Sequence, residues 1–399
     1  MTRSIAAPAQ SRGVDRSISA AMTTLLAVGC GVTAANIYYS QPLIGLIAPA
    51  LGLREEAASL IVTFTQIGYC AGLVLLVPLG DLLENRALTV WTLCAGVAAL
   101  LAAAFASSAA AFLAAALAIG LTSVAAQMLV PIAAHLAPGA SRGRTIGNVM
   151  SGLLVGIMLA RPISSLVAYA FGWRAVFAAS ALATATLAVA LRRLLPERRP
   201  RAEHRYFALI GSLWALLRDS PALRRRAAYQ TALFAAFSLY WTAVPLELAG
   251  PTFGLSQRGI ALFALAGAGG ALAAPIAGRV ADRGWGRATT GLAMAVVAIA
   301  FLLARIGGGG SMAALLIAGV ALDAGVQANQ IVSQRVIFAL DPEARSRLNG
   351  LYIAIFFLGG AAGSAIASLA YAYGGWDYVS WIGLTFPLAA LAFYATEFL

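Results

Sequence analysis

Long apolar stretches separated by short polar ones fill the chain from Ala20 onward. They fall at residues 20–41, 57–79, 87–107, 109–134, 145–168, 174–194, 228–249, 259–280, 288–305, 312–335, 348–372 and 376–396. Each is close to the ~20 residues that an α-helix needs to cross ~30 Å of hydrocarbon. Runs such as Leu101 to Ala118 do not alternate, as the strands of a membrane barrel would. Backbone polar groups cannot go unpaired in lipid, so the runs are helical. The pattern predicts an all-α polytopic membrane protein with twelve transmembrane helices.

Composition agrees. Of 399 residues, 61% are hydrophobic and 11% charged, against roughly 25% charged in a soluble domain. A net charge of +12 would point to nucleic acid in a soluble protein, but its placement here points elsewhere. With the N-terminus inside, 22 arginines fall in cytoplasmic segments, ten of them between the sixth and seventh helices. Arg54, Arg174, Arg258 and Arg305 fall outside, and Arg161 falls within a helix. That bias follows the positive-inside rule and predicts that both termini are cytoplasmic. The basic segments are expected to meet anionic membrane lipid, and no nucleic acid.

All 27 basic residues are arginine. Without lysine there is neither a P-loop nor a Schiff base, so active transport would draw on an ion gradient or a partner ATPase. Cys30, Cys70 and Cys94 lie in predicted helices without metal-ligand spacing, and His135 and His204 are the only histidines. Neither a metal nor a cofactor is expected. The first apolar run is too long for a signal peptide.

The two halves repeat. Gly172-Trp173-Arg174 returns as Gly375-Trp376-Asp377, Arg142 as Arg345, Pro42 as Pro245 and Gln127 as Gln330, all 203 residues apart; Asp81 returns as Asp282 after 201. A duplicated six-helix unit predicts two pseudo-symmetric six-helix bundles related by an axis along the membrane normal. The expected organisation is a tail at 1–19, an N-terminal bundle at 20–194, a basic linker at 195–227 and a C-terminal bundle at 228–399. An amphipathic helix is expected in the linker around Tyr206 to Leu217, lying on the membrane surface. Gly152, Gly156, Gly359, Gly360 and Gly363 suit close helix approach.

Twelve helices as six plus six, a basic central loop and an acidic loop motif in each half resemble the major facilitator superfamily. The segments Ala35-Asn36-Ile37-Tyr38-Tyr39-Ser40-Gln41-Pro42-Leu43 and Val77-Pro78-Leu79-Gly80-Asp81-Leu82-Leu83-Glu84-Asn85-Arg86 are similar to an uncharacterised subgroup of its bacterial drug:proton antiporter branch. The resemblance implies the major facilitator fold and a place in a bacterial inner membrane. In the loop motif Leu79, Asp81 and Arg86 keep the family pattern, while Val77, Leu82, Glu84 and Asn85 depart from it. The second copy, Gly278 to Arg287, is closer to the pattern. The fifth-helix antiporter motif survives only as Arg161-Pro162-Ile163-Ser164-Ser165-Leu166, with its glycines lost.

The resemblance implies that Asp81 and Asp282, with Arg86 and Arg283, form conformational latches that cap a helix of the opposite half. Asp323 sits mid-way along the tenth helix, where an unpaired charge costs ~3 kcal/mol or more. A carboxylate there is a candidate for taking up and releasing a proton, with a static hydrogen-bonded role as the alternative. Arg161 is the cationic counterpart; Asp323 and Glu247 are its candidate partners, and a buried pair of Arg161 and Glu247 is among the expectations. The helices that line the cavity in this family carry a candidate binding set of Asn36, Tyr39, Gln41, Gln127, Tyr240, Trp241 and Gln327. Asn36 and Tyr39, three apart, are expected to share a helix face, as are Asp323 and Gln327. Belt aromatics and interhelical hydrogen bonds are the alternative for these residues.

These features predict a secondary active transporter working by alternating access, as a proton-coupled exporter of small organic or drug-like molecules. Its partners would be a small-molecule substrate, protons and membrane lipid, and a monomer is expected. The alternatives are an importer or uniporter of a small metabolite, such as an organic acid recognised by Arg161, and a non-transporting sensor or scaffold on the same fold. No nucleophile–base pair or metal set points to an enzyme.

Overall fold

The computed structural model describes residues 19–138, 141–200, 205–267, 269–270, 285–341 and 344–398. Among them, nine helices are long and apolar enough to cross a membrane. The last of these, Arg345–Ala395, carries two spans broken at Gly374 and Gly375. A first span built from Ala20–Ala35 and Ile44–Ala50, and an eighth that begins with Gln257–Gly267, complete the twelve helices in two sets of six.

The duplicated Gly-Trp pair marks the same turn in both halves. Gly172 and Gly375 have φ of +83° and +61°, each between the last two spans of its half. Only glycine takes such values without strain. The tryptophans that follow are buried and pin the turn. Trp173 lies edge-on to Phe112, and the Trp376 indole donates to Ala304 O at 2.7 Å.

The first span runs on to Ala50, past the expected end at residue 41. Pro42 has no N–H to donate to Tyr38 O, so one rung of an α-helical ladder is missing here. Turns over residues 36–40 and a 3₁₀ turn at Gln41–Leu43 take over, with Tyr38 N–H bonded to Ala35 O and Gln41 N–H to Tyr38 O. The linker helix forms at Tyr206–Asp219 and buries Leu209 and Leu213 while exposing Phe207 and Trp214. The seventh span, Pro221–Ala249, starts directly after it, capped by Ser220.

Helix backbones touch at glycine. A Cβ on Gly156 would stand 2.2 Å from Gly31 O, and one on Gly152 2.3 Å from Ala27 O, so the fifth span presses on the first. Gly359, 203 residues after Gly156, would meet Thr231 O at 2.3 Å and sets the eleventh span on the seventh in the same way. Gly68 and Gly120, which the sequence pattern does not single out, join the second and fourth spans; their Cβ atoms would stand 2.0 Å from Leu117 O and 1.9 Å from Thr65 O. Such contacts matter because lipid supplies no hydrophobic drive between helices.

The halves meet through spans two and eleven and through spans five and eight. At the end that carries the loop between the first two spans, Thr63 and Ser364 hydroxyls are 3.0 Å apart, and Gln66 Nε2 donates to Ser238 Oγ at 2.8 Å. At the other end the linker helix bridges the halves. Tyr206 donates to Leu75 O at 2.9 Å, and Arg347 donates to Ser212 Oγ at 3.0 Å.

The loop between spans two and three differs from its expected role. Asp81 is exposed at the end of the 3₁₀ turn Val77–Asp81 and caps no helix among the described residues; it shares a cavity wall with Arg347 and Gly350 of the eleventh span. The cap falls to Glu84, which immediately precedes helix Asn85–Ala104. Its carboxylate accepts from the N–H groups of Arg86 at 2.8 Å, Ala87 at 2.7 Å and Arg198 at 3.2 Å. Arg86 pairs with Glu197, within its own half, and Asn85 N–H donates to Arg198 O at 3.0 Å. The start of the linker is thus strapped to the N-terminal bundle. Asp282 and Arg283 lie outside the described residues.

Gly156→Ala should cost about 1–3 kcal/mol, as overpacking does, read as a lower unfolding temperature in detergent. Gly147→Ala, whose Cβ meets nothing within 4 Å, should cause no loss. Partial burial pushes the Glu84 carboxyl up, but three backbone donors and Arg86 outweigh it and hold it below the usual carboxylate range. Its stabilising share is therefore present above the ordinary carboxylate pKa and lost as pH falls through the lowered folded value. At pH 7, Glu84→Gln should speed trypsin cleavage after Arg198 several-fold; wild-type cleavage rates would rule out the strap.

Candidate functional site

Arg161 lies within the fifth span, Arg142–Phe171, and is 5% exposed. The broken segment of span one brings two residues to it. Gln41 Oε1 accepts from the guanidinium Nε at 2.8 Å, and the Tyr38 ring centre is 5.3 Å from the guanidinium carbon. Two further rings reach it from the seventh span of the opposite half, Phe237 at 5.0 Å and Trp241 at 4.4 Å. Aromatic faces carry negative quadrupole density, which stabilises a cation where water is absent.

Trp241 also faces a carboxylate. Its indole Nε1 donates to Asp323 Oδ1 at 2.7 Å, and Asp323 is 7% exposed on the tenth span, Met312–Leu340. Arg161 and Asp323 feel one another's charge, but among the described residues neither takes part in an ion pair. One indole joins them instead, by its face to the cation and by its N–H to the anion. Arg161 Nη2 and Gln41 Nε2 are buried donors that find no partner among the described residues.

Beside this cluster, between the halves, lies a cavity of about 260 Å³. Tyr38 and Phe237 form part of its wall, with their rings shared with Arg161. Its side-chain amides are four half-buried glutamines, Gln127 of the fourth span and Gln327, Gln330 and Gln334 of the tenth. The last three are spaced i, i+3, i+7 and so lie on one helix face. Gln127 Nε2 donates to the Tyr69 hydroxyl at 3.2 Å, and Gln334 Nε2 to Asn349 Oδ1 at 3.2 Å. Tyr69, Phe234 and Phe356 pack around Phe357 with ring centres 4.6, 4.7 and 5.2 Å from it. A second cavity, walled by Asp81 and Arg347, adjoins the first through Gln127.

Of the seven expected ligands, Gln127 and Gln327 line this cavity. Gln41 and Trp241 belong to the Arg161 cluster behind its wall. Asn36 and Tyr39 do share a face, but it turns toward the sixth span. Ser180 donates to Asn36 Oδ1 at 2.5 Å, and Tyr39 meets the same serine. Tyr240 points into the C-terminal bundle, where its hydroxyl donates to Leu315 O at 2.6 Å and its ring is edge-on to Trp376. Glu247 does not pair with Arg161: its carboxylate accepts from Tyr371 at 3.0 Å. Six residues of helix separate it from Trp241, a rise of about 9 Å, which carries it past the guanidinium. Gln330, Gln334 and the rings around Phe357 were not among the expected ligands. The i, i+3, i+7 spacing on the tenth span was the signal that could have found the glutamines.

The model of the Major Facilitator Superfamily matches residues 26–304 and 227–397. The chain is 42% identical over 377 residues to an uncharacterized transporter, YgaY, of Escherichia coli O157:H7, covering 94% of this chain and 95% of that one. It is 36% identical over 356 residues to the probable transporter SCO4007 of Streptomyces coelicolor, covering 89% and 82%. Among solved structures, the nucleoside transporter NupG superposes with a TM-score of 0.72 at 15% identity, covering 94% of this chain and 99% of that one. This chain is a multi-pass membrane transporter that belongs to the major facilitator superfamily.

Proposed function

We propose that the chain is a secondary active transporter of a bacterial inner membrane that exports small organic molecules in exchange for protons, by alternating access. The observation that carries this reading is the buried carboxylate of Asp323, joined through Trp241 to a guanidinium of the other half without an ion pair. In its charged form Asp323 holds the indole N–H and faces the Arg161 charge. A proton on Asp323 removes the negative charge and weakens that hold across the interface. A ligand that binds one arrangement of the halves better than the other shifts the balance between them, and here the ligand is a proton.

The direction rests on the basic linker. The positive-inside bias puts the linker end in the cytoplasm, and the cavity at that end adjoins the central one through Gln127. That is the loading path an exporter needs. At the same end Asp81 faces the start of the eleventh span across the cavity, placed to act as a latch in the other access state. A second reading, uptake of an organic acid, has one observation in its favour, the buried and unpartnered Nη2 of Arg161.

Proteoliposomes with an imposed pH gradient test the coupling. Asp323→Asn should lose gradient-driven flux by about tenfold or more while keeping downhill exchange of the same solute. Full gradient-driven flux in that variant would overturn the role of Asp323. Asp81→Asn should slow turnover several-fold with half-saturation unchanged, as expected of a group that acts on the conformational step rather than on the solute.

A further inference from the structure

We infer that the central cavity selects an uncharged, planar solute that carries both hydrogen-bond donors and acceptors, of the chemical class of heteroaromatic amides and lactams. This rests on the reading of that cavity as the transport site, and it deepens that reading by naming a substrate class.

The argument starts from what lines the space. None of its lining residues carries a charged side chain; the polar ones are the four glutamines and two tyrosines, Tyr38 and Tyr69. An ion that left water for this cavity would lose its hydration without meeting a counter-charge, and that loss is large in an apolar interior. A cation would fare worse than elsewhere on aromatic walls. Tyr38 and Phe237 have Arg161 against them at 5.3 and 5.0 Å, so a positive charge already occupies that side. Asp323 offers no relief, since it does not line the cavity and its Oδ1 is taken by Trp241. An anion would sense Arg161 only from behind the rings of Tyr38 and Phe237, with no guanidinium N–H on the wall to replace its lost hydration.

A primary amide presents one acceptor and two donors in a plane. Gln327 and Gln330 lie half-buried on the wall, three residues apart on one face of the tenth span, with the amide of Gln127 also on the wall. When the halves close over a solute, each amide group left without a partner carries a desolvation cost. A solute with its own donor and acceptor removes that cost, and an apolar one does not. The flat sides of such a solute suit the aromatic wall of Tyr69, Phe356 and Phe357, where offset and edge-on ring contacts are favourable. The volume, about 260 Å³, sits just below the range of drug-sized ligand pockets. The solute is therefore small, of one or two rings.

Equilibrium binding to the full chain in nanodiscs, with no gradient, tests this. The probes are nicotinamide and uracil as neutral planar solutes, benzoate as the anionic counterpart and benzylamine as the cationic one. At least one neutral probe should bind, and both charged probes should bind about tenfold or more weakly than it does. Gln327→Leu and Gln330→Leu should each weaken the neutral probe by a similar factor, with unfolding temperature unchanged. A charged probe that binds more tightly than both neutral ones overturns the inference. So does failure of both neutral probes to bind, or wild-type binding in both leucine variants. Because no gradient is present, Asp323→Asn can lose coupled flux without touching this result. Binding of neutral probes without transport would sink the proposed function and leave the selectivity standing.

Discussion

A buried guanidinium that makes no ion pair among the described residues governs what can pack around it. Such a charge costs several kcal/mol even when relaxation is allowed. Three aromatic faces and one amide oxygen offset that cost here, and two of the rings come from the opposite half. In the proposed alternating access, parting of the halves would strip two of these rings from Arg161. Either the rings follow it or another group must take their place. The close glycine contacts belong to the same constraint, since the fifth span must lie near the first for Gln41 and Tyr38 to reach the guanidinium.

Duplication built the scaffold, and departures from it built the site. Adding 203 to Tyr38 gives Trp241, so two of the three ring positions on Arg161 are one position used twice. Adding 203 to Arg161 gives Ser364, which hydrogen-bonds Thr63, and subtracting it from Asp323 gives Gly120, which lets spans two and four touch. Each charge thus replaces a small residue that packs the equivalent helix in the other half. One aromatic position, Tyr38 and Trp241, is shared between the halves, whereas Phe237 falls on Ala34 and the charges occur once.

The fold was open to reading because lipid imposes a strict rule on backbone groups, and twelve apolar runs obey it visibly. The eleventh and twelfth spans appear as one helix, yet Gly375 marks their turn just as Gly172 marks the equivalent one. Arg161 and Asp323 stood out because ionisable groups within a span are costly. Their partners did not. Trp241 and Tyr38 read as well for a membrane-interface belt, and the choice of Glu247 depended on helix rotation and rise that sequence spacing alone does not give. Glutamines carry no such penalty signal, so Gln330 and Gln334 were hidden among ordinary interhelical polar residues. Asn36 and Tyr39 both meet Ser180 of the sixth span, a helix rotation that spacing along the chain does not give.

That interruption of the first span has a mechanical meaning. Its segment up to Ala35 lies against the fifth span, while Pro42 and Gly45 adjoin the seventh span at Pro245 and Leu246. Only a few three-residue hydrogen bonds join the two pieces, where an intact α-helix would resist bending along its whole length. The outer piece nonetheless stays in its own bundle, where Leu43, Ile44 and Ile47 are buried in the N-terminal core. The span is thus held by its fewest backbone hydrogen bonds where Tyr38 and Gln41 hold the guanidinium.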